Sequence, residues 1–458
     1  MENHGIVYPP TPLELLVSPE DERAIEMIAD RLVAEALHAS EDFAAQGRVV
    51  DPSSWKRIKE KDNIVVYQNM SDLRSTCTKR ERVWSEDTVV VAASPQNPTF
   101  YPSNRSLEDD MFRDGFHNID DYDSEDERSL HHDDFTRFGA KAGAEISVLE
   151  KFRPANVPTV FSHGTFPGTV EDMAFASLAD TDELSRTRFN TSKDNVVEDM
   201  RILAQIHGPT KEDPFRFLGV KWCTSMASRT VSLIVKPRDY LIIEATGMAL
   251  DSNGERFAYF LNHSIELDQV PDFRDFGLVR TVFSACHIMK PCQNGEAVDA
   301  YARGYLIIGG NFSVRLSAIQ FAEGLIAFPR VLEESYLKKL AWLMHDQHRW
   351  SSSSGSTSEG SSFSSNGSAS LLDKVGSCPC CHGKLSARRL GGFMEKSSGC
   401  RLCRKFVCHK CTVKKMLPVE GARGRHMKKK EREFCLDCYL KAKRMPAWHV
   451  AVATLTKS

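Results

Sequence analysis

Apolar residues near the start of the chain recur at helical spacing between Ile25 and Leu37. The residues before them suit the beginning of a helix, because Ser18 can cap it, Pro19 fits its first turn and two acids follow. The pattern therefore predicts a first helix. Trp55 and a β-branched run at residues 64–67 then predict a strand.

Strand-like and helix-like spacings alternate farther along the chain. Residues 146–149 are strand-like, whereas residues 169–178 and 194–206 are helix-like, with Val197, Met200, Leu203 and Ala204 forming an apolar face. Strand-like segments then dominate, at residues 218–226, 231–235, 241–249, 257–267, 278–289 and 297–308. Turn residues at 251–254 and 293–295 separate two pairs of these segments, which is typical of hairpins.

A last helix-like segment occupies residues 313–345, and Pro329 within it either kinks the helix or begins its second half. Consecutive hairpins imply an antiparallel meander. The predicted fold class is therefore α+β, with one curved antiparallel sheet and a C-terminal helix.

Two segments differ in composition from the rest. Residues 85–135 have 14 Asp+Glu against 3 Lys+Arg and few aliphatic residues, which predicts a disordered insertion. Residues 351–370 contain 12 serines and 3 glycines, as a flexible linker does. These segments predict a disordered start at 1–17, a domain at 18–346 with the insertion, a linker at 347–374, a second domain at 375–445 and a tail at 446–458.

The distribution of charge also divides the chain at the serine-rich linker. The formal net charge is only −3, but residues 371–458 carry 21 Lys+Arg and 6 Asp+Glu, which leaves −18 for the remainder. A strongly basic domain favours an anionic partner, either lipid headgroups or nucleic acid, although lysines can also simply keep a small domain soluble. An apolar content of 41% allows a real core. No run approaches the ~18 apolar residues that span a bilayer.

The basic region contains four Cys-x-x-Cys pairs, and each pair can supply half of a tetrahedral Zn²⁺ site. Only four residues separate Cys403 from Cys408, which disfavours two consecutive, separate sites. The spacing predicts two zinc ions bound in an interleaved manner, with the first and third pairs on one ion and the second and fourth on the other. The predicted ligands are Cys378, Cys381, Cys400, Cys403, Cys408, Cys411, Cys435 and Cys438.

A disulfide framework is the alternative for these cysteines. The first 20 residues are polar and proline-rich, with no apolar secretory segment, so a reducing cytoplasmic location and zinc are expected instead. Cys380, His382, His409 and His426 could replace a ligand, but the four pairs already complete two sites. We interpret these four residues as bystanders.

Enzymatic motifs are missing from the sequence, which contains no Gly-x-Ser-x-Gly, Walker loop or His-Glu-x-x-His. Cys286 and His287 suggest a nucleophile and its base, but neighbouring residues of a strand point to opposite faces. The pair Arg238 and Asp239 is interpreted as structural. The chain is therefore expected to be non-enzymatic, with no catalytic residues.

Several local features of the first domain form a recognisable series: Trp55 with the strand after it, Val220-Lys221-Trp222, Pro237-Arg238-Asp239-Tyr240, Tyr301-Ala302-Arg303-Gly304 and the last helix. In these features the domain resembles START lipid-binding domains. The resemblance implies a helix-grip fold, in which a curved antiparallel sheet surrounds a C-terminal helix and encloses a tunnel for a hydrophobic ligand.

The second domain resembles FYVE zinc fingers, through the run from Gly399 to Cys411 and through Phe434-Cys435-Leu436-Asp437-Cys438-Tyr439. The resemblance implies small β-hairpins and a helix around two cross-braced zinc ions, and binding of phosphatidylinositol 3-phosphate on endosomal membranes. The family's headgroup pocket is degenerate here, since Glu433 stands where an arginine is usual and two histidines are missing. Candidate headgroup contacts are Arg401, Arg404 and Lys405.

Together these features predict a lipid- and membrane-binding adaptor, peripheral on an endosomal membrane. Its expected partners are anionic lipids, a hydrophobic ligand and an unidentified protein, but no nucleic acid. The alternative is a RING- or PHD-like module for protein interaction or ubiquitin ligation. RING patterns usually include a histidine ligand and tighter spacing, which this sequence lacks.

Overall fold

A computed structural model of the chain describes residues 15–70, 147–189, 195–227, 236–353, 377–383, 385, 399–418 and 429–456. Its contacts form two compact units, Met1–Val331 and Leu332–Ser458. The predicted acidic insertion, the strand predicted at 231–235 and most of the serine-rich linker lie outside the described residues. Among the described helices, none combines the length and apolar character that a membrane crossing requires.

The first unit contains five helices within its described ranges: α1 (Pro19–Ala45), α2 (Val148–Phe152), α3 (Val170–Ser177), α4 (Asp182–Phe189) and α5 (Val314–Ala327). Its strands are β1 (Trp55–Lys61), β2 (Ile64–Asn69), β3 (Val160–Pro167), β4 (Asn195–His207), β5 (Phe217–Ala227), β6 (Arg238–Leu250), β7 (Arg256–Ser264), β8 (Val279–Arg280), β9 (Val282–Cys292) and β10 (Ala297–Ile307). The second unit contains α6 (Leu332–Ser353), β11 (Thr412–Pro418), β12 (Lys429–Cys435), α7 (Leu436–Arg444) and α8 (Ala447–Leu455).

The strands of the first unit form one sheet in the order β1-β2-β3-β10-β9-β7-β6-β5-β4, and all these neighbours are antiparallel. The short β8 pairs with β6 in parallel. Both predicted hairpins are present, between β6 and β7 and between β9 and β10. At the second hairpin Asn294 and Gly295 have positive φ angles of 57° and 84°, which suits a tight turn. The predicted α+β fold class, with one large antiparallel sheet, is confirmed.

The two faces of this sheet are covered differently. Helix α1 packs across β6, β7, β9 and β10, and its apolar residues join a core that includes Trp222, Ile243 and Leu261. Alternate residues point to the other face. There α3 packs on β6, β7 and β9, while α5 packs on β1, β2, β3 and β10.

Two elements predicted from the sequence are wrong. Residues 147–149 do not belong to the strand predicted at 146–149, because helix α2 begins at Val148, where Ser147 caps it and the Glu35 carboxylate accepts hydrogen bonds from the Val148 and Leu149 N–H groups. Glu35 belongs to α1, so local spacing cannot reveal this contact.

Residues 195–206, which fall within the helix predicted at 194–206, belong to the edge strand β4 instead. Three register shifts interrupt its pairing with β5, and such bulges break the regular alternation of a strand. Met200 packs with Cys223, while Leu203 and Ala204, which are adjacent, both pack in the main core. The resulting apolar spacing imitates that of a helix.

Helix α6 completes the core of the second unit. The helical segment predicted at 313–345 is present and is interrupted by a 3-10 turn at Phe328–Val331, which contains Pro329. Beyond the turn, α6 packs on α7, α8 and β11, and its Leu340 is fully buried with Phe434 and Ala442. The contacts thus divide the chain between Val331 and Leu332, before α6. The domain boundaries predicted from the sequence, with the first domain ending at residue 346, stay predictions.

Candidate metal centre

The four cysteine pairs form two clusters. Cys378, Cys381, Cys408 and Cys411 make up the first, and Cys400, Cys403, Cys435 and Cys438 make up the second. Within each cluster the sulfur atoms all lie within 4.8 Å of one another. First and third pairs are therefore together, as are second and fourth, which is the interleaved arrangement predicted from the spacing.

The first two pairs sit on knuckles of the same design. In one, the Cys378 N–H donates to the Gly383 carbonyl at 2.8 Å, and in the other the Cys400 N–H donates to the Lys405 carbonyl at 2.9 Å. Four residues after each first cysteine, His382 and Arg404 adopt positive φ angles of 56° and 61°. These turns point two thiols in the same direction.

The β11–β12 hairpin connects the two clusters. Thr412 opens β11 directly after Cys411 of the first cluster, and it pairs in register with Cys435 of the second cluster. Cys435 also begins α7, which places Cys438 in the first turn of that helix. A two-stranded sheet thus fixes the spacing between the sites.

The sulfur geometry fits a tetrahedral metal. Zn–S bonds of about 2.3 Å imply sulfur–sulfur distances of about 3.8 Å along each tetrahedral edge. The Cys381 and Cys408 sulfurs are 3.6 Å apart, and those of Cys403 and Cys435 are 3.8 Å apart. Four soft thiolate donors without a carboxylate suit Zn²⁺.

Backbone N–H donors favour the thiolate form of Cys378, which is the form that a metal needs, whereas burial raises the pKa of Cys435 to about 12 despite a similar donor. The Cys408 N–H donates to the Cys378 sulfur at 3.4 Å, and the Cys438 N–H donates to the Cys435 sulfur at 3.4 Å. Burial acts to raise the pKa of the Cys378 thiol, but backbone donors led by Cys408 outweigh it and lower this pKa to about 6.

The other candidate residues take different positions. Cys380, His382 and His409 are not part of either cluster, and His426 lies outside the described residues. Arg401, Arg404 and Lys405 share the second knuckle, where Arg401 is partly buried and the other two are exposed. Glu433 forms an ion pair with Lys414 at 3.2 Å. These facts locate the predicted headgroup contacts but assign no ligand to them.

Three of the residues considered for catalysis make packing or hydrogen-bond contacts. Cys286 packs in the main core, whereas His287 stacks on Phe328 with ring centroids 3.7 Å apart. Asp239 is fully buried and accepts hydrogen bonds from the Trp222 indole at 3.1 Å and from Arg280 at 2.9 Å.

A buried charge cluster in the first unit was not predicted from the sequence. Glu244 on β6 accepts a hydrogen bond from the Lys221 ammonium at 2.6 Å and another from Arg188 on α4. Lys221 also donates to the Ala179 carbonyl at 2.5 Å and to the Ser185 hydroxyl at 2.9 Å. Burial lowers the pKa of Lys221 to about 8. The only sequence signal is two charged residues within otherwise apolar strands.

No protein-family model and no curated protein matches the sequence. Solved structures with a similar arrangement include human STARD10 (8% identity over 70% of this chain and 78% of that one, TM-score 0.30). Human StAR-related lipid transfer protein 5 is 12% identical over 66% of this chain and 95% of its own, with a TM-score of 0.32. The human StarD13 (DLC2) lipid transfer and protein localization domain is 11% identical over 65% and 95%, with a TM-score of 0.31. Similarity at this level assigns neither a ligand nor a reaction to this chain.

Proposed function

We propose that the chain is a non-enzymatic adaptor, in which the second unit folds around two Zn²⁺ ions and docks on anionic membranes while the first unit holds a hydrophobic ligand. The observation that carries the proposal is the pair of closed cysteine clusters in a small cationic unit. Four thiolates fill the coordination of each ion and leave no open position for a substrate. The metal then supports a surface and not a reaction.

Charge favours a membrane as the partner of the second unit. Residues 371–458 carry a formal excess of 15 positive charges. Two Zn²⁺ ions with eight thiolates reduce it to about +11. Each lysine or arginine near an anionic bilayer contributes roughly 1 kcal/mol of binding. Arg404, Lys405 and Lys430 are exposed and available for such contacts.

We expect overall charge, and not one headgroup, to govern the binding. An acid, Glu433, replaces the arginine of the FYVE signature, and it neutralises Lys414 through the ion pair described above. Recognition of phosphatidylinositol 3-phosphate would need several convergent cations as hydrogen-bond donors.

The ligand of the first unit is proposed from the resemblance to START domains and from the face of the sheet that α3 and α5 cover. On that face Ala285, Ala302 and Gly304 are small, and Phe260 stacks on Phe328. An apolar ligand gains about 25 cal/mol for each Å² that it buries, without directional contacts. Native mass spectrometry of the purified chain, with lipid extraction, tests this part by showing or excluding a bound lipid.

Vesicle flotation tests the membrane part. The zinc-loaded full chain is mixed with phosphatidylcholine vesicles and with vesicles that also contain phosphatidylserine or phosphatidylinositol 3-phosphate at equal total charge. We expect similar binding to both anionic types, none to neutral vesicles, and release in high salt. The variant Lys56→Glu changes the charge at an exposed site of the first unit and serves as a control, since its binding should match that of the parent. An absence of binding to both anionic types would refute the proposal.

A further inference from the structure

Helix α7 of the second unit has an exposed face with an unusual composition. Leu436 and Leu440 lie one turn apart and are 37% and 36% exposed. Arg444 is exposed on the same side of the helix, because it lies four residues after Leu440, and Lys441 is exposed beside it, three residues before Arg444. The opposite side packs inward, where Ala442 is fully buried.

Beside these residues lies a hollow of about 440 Å³. Its lining consists of Asp437, Leu440, Lys441, Arg444, Met445 and Pro446. Apolar groups thus alternate with two cations and one acid, which leaves a net positive charge on the lining.

The helix dipole explains part of this arrangement. Asp437 lies in the first turn, and Lys441 and Arg444 lie in the last turn, where each charge is favourable. The dipole does not explain two large apolar side chains in contact with water. Leucines flanked by cations on one helical face are typical of helices that lie in a membrane interface.

We propose that this face, formed by Leu436, Leu440, Lys441 and Arg444, is the surface through which the second unit lies on an anionic bilayer. The leucines enter the headgroup region, and the two cations meet lipid phosphates at the hollow. The inference rests on the proposed membrane function and names its contact surface. An acidic peptide would also suit the local charges, but the excess of cations over the whole unit favours an extended anionic surface.

The test compares vesicle partitioning of zinc-loaded full-length variants, with phosphatidylcholine vesicles that contain about one third phosphatidylserine. Leu440→Glu is expected to weaken partitioning about tenfold, because it places a charge where an apolar side chain enters the interface. Lys441→Gln and Arg444→Gln are each expected to weaken it about fivefold.

Two variants of the first unit are matched controls. Leu316, a leucine of α5 that is 40% exposed, is changed to Glu, and the exposed Lys56 is changed to Gln. Both should partition within about twofold of the parent. A content of two zinc ions per chain verifies folding. If Leu440→Glu loses zinc, the Lys441→Gln and Arg444→Gln variants decide the outcome.

The possible failures are distinguishable. If all three α7 variants bind the vesicles as well as the parent does, α7 is not the membrane contact surface. The membrane function would then stay intact, and a protein partner would be the alternative occupant of this face. A parent chain that does not bind phosphatidylserine vesicles would overturn both.

Discussion

The two units of this chain reach stability by different means. Among the described residues, the main core of the first unit gathers 26 buried residues from helices on one side of the sheet and from the strands themselves. The corresponding cluster in the described part of the second unit has seven buried residues, and two of these, Cys400 and Cys435, are predicted zinc ligands. A unit with so small a core would need a bound metal in place of more buried apolar surface. The comparison predicts that the units respond differently to metal removal, to core truncation and to acid.

Removal of the metal should have the largest effect. A structural Zn²⁺ site supplies roughly 10–16 kcal/mol of binding free energy that is also folding free energy. Cys403→Ser or Cys411→Ser, or a strong chelator, should therefore unfold β11, β12 and α7, whereas the sheet of the first unit should keep its amide protection. Hydrogen exchange read by mass spectrometry reports each segment separately.

The control for this experiment is Cys380→Ser, because Cys380 lies between two ligands without belonging to either cluster. We expect this variant to retain two zinc ions per chain. If the second unit kept its amide protection and both metal ions after Cys411→Ser, the assignment of Cys411 as a ligand would be contradicted.

Within the first unit, the most sensitive charge should be Glu244. It is fully buried and pairs with both Lys221 and Arg188, so Glu244→Gln removes the carboxylate that contacts two buried cations. A loss of about 3–5 kcal/mol in the free energy of unfolding is expected. Lys221→Met is the matched variant and should cost less, because the Arg188–Glu244 pair stays neutral. Urea unfolding of both variants measures the difference, and an equal cost would argue against this charge balance.

Helix α6 offers a way to sharpen the comparison. Leu340 is fully buried against Phe434 and Ala442, so Leu340→Ala should destabilise the second unit by about 2–5 kcal/mol. The expected result is earlier loss of zinc under increasing chelator concentration. Leu316→Ala, at a half-exposed position of α5, should leave zinc retention unchanged. If Leu340→Ala also left it unchanged, α6 would not contribute to the folding of the metal centre.

The sequence could predict those features whose signal lies within a short stretch of the chain, and it could not predict those that depend on distant residues. The cysteine pairs carry their own geometry, because two thiols three residues apart reach one ion, and the hairpin turns carry theirs in Asn294 and Gly295. Strand β4 and helix α2 were mispredicted because bulges and the distant Glu35 carboxylate override the local pattern. The Lys221–Glu244–Arg188 cluster joins β5, β6 and α4, so no local spacing could reveal it.

Acid provides the mildest test, and it concerns two histidines of the first unit. His263 and His287 are buried, and burial lowers their pKa values to about 4 and about 3. In the unfolded chain a histidine has a pKa of about 6.5. The unfolded state therefore binds more protons between pH 6.5 and 4, and the stability of the folded state falls as the pH falls through this range.

Each histidine should cost about 2 kcal/mol of unfolding free energy between pH 7 and pH 5. Acid would also release metal from the cysteine clusters, because thiolate ligands become protonated. The measurement must therefore report on β7 and β9 alone, and pulsed hydrogen exchange in urea does so. His263→Phe should remove about half of the pH dependence. This change sacrifices no hydrogen bond in the described part of the chain, since both ring nitrogens of His263 are buried there without a partner. A pH dependence that is identical in parent and variant would mean that His263 titrates alike in the folded and unfolded chain, contrary to the effect of its burial.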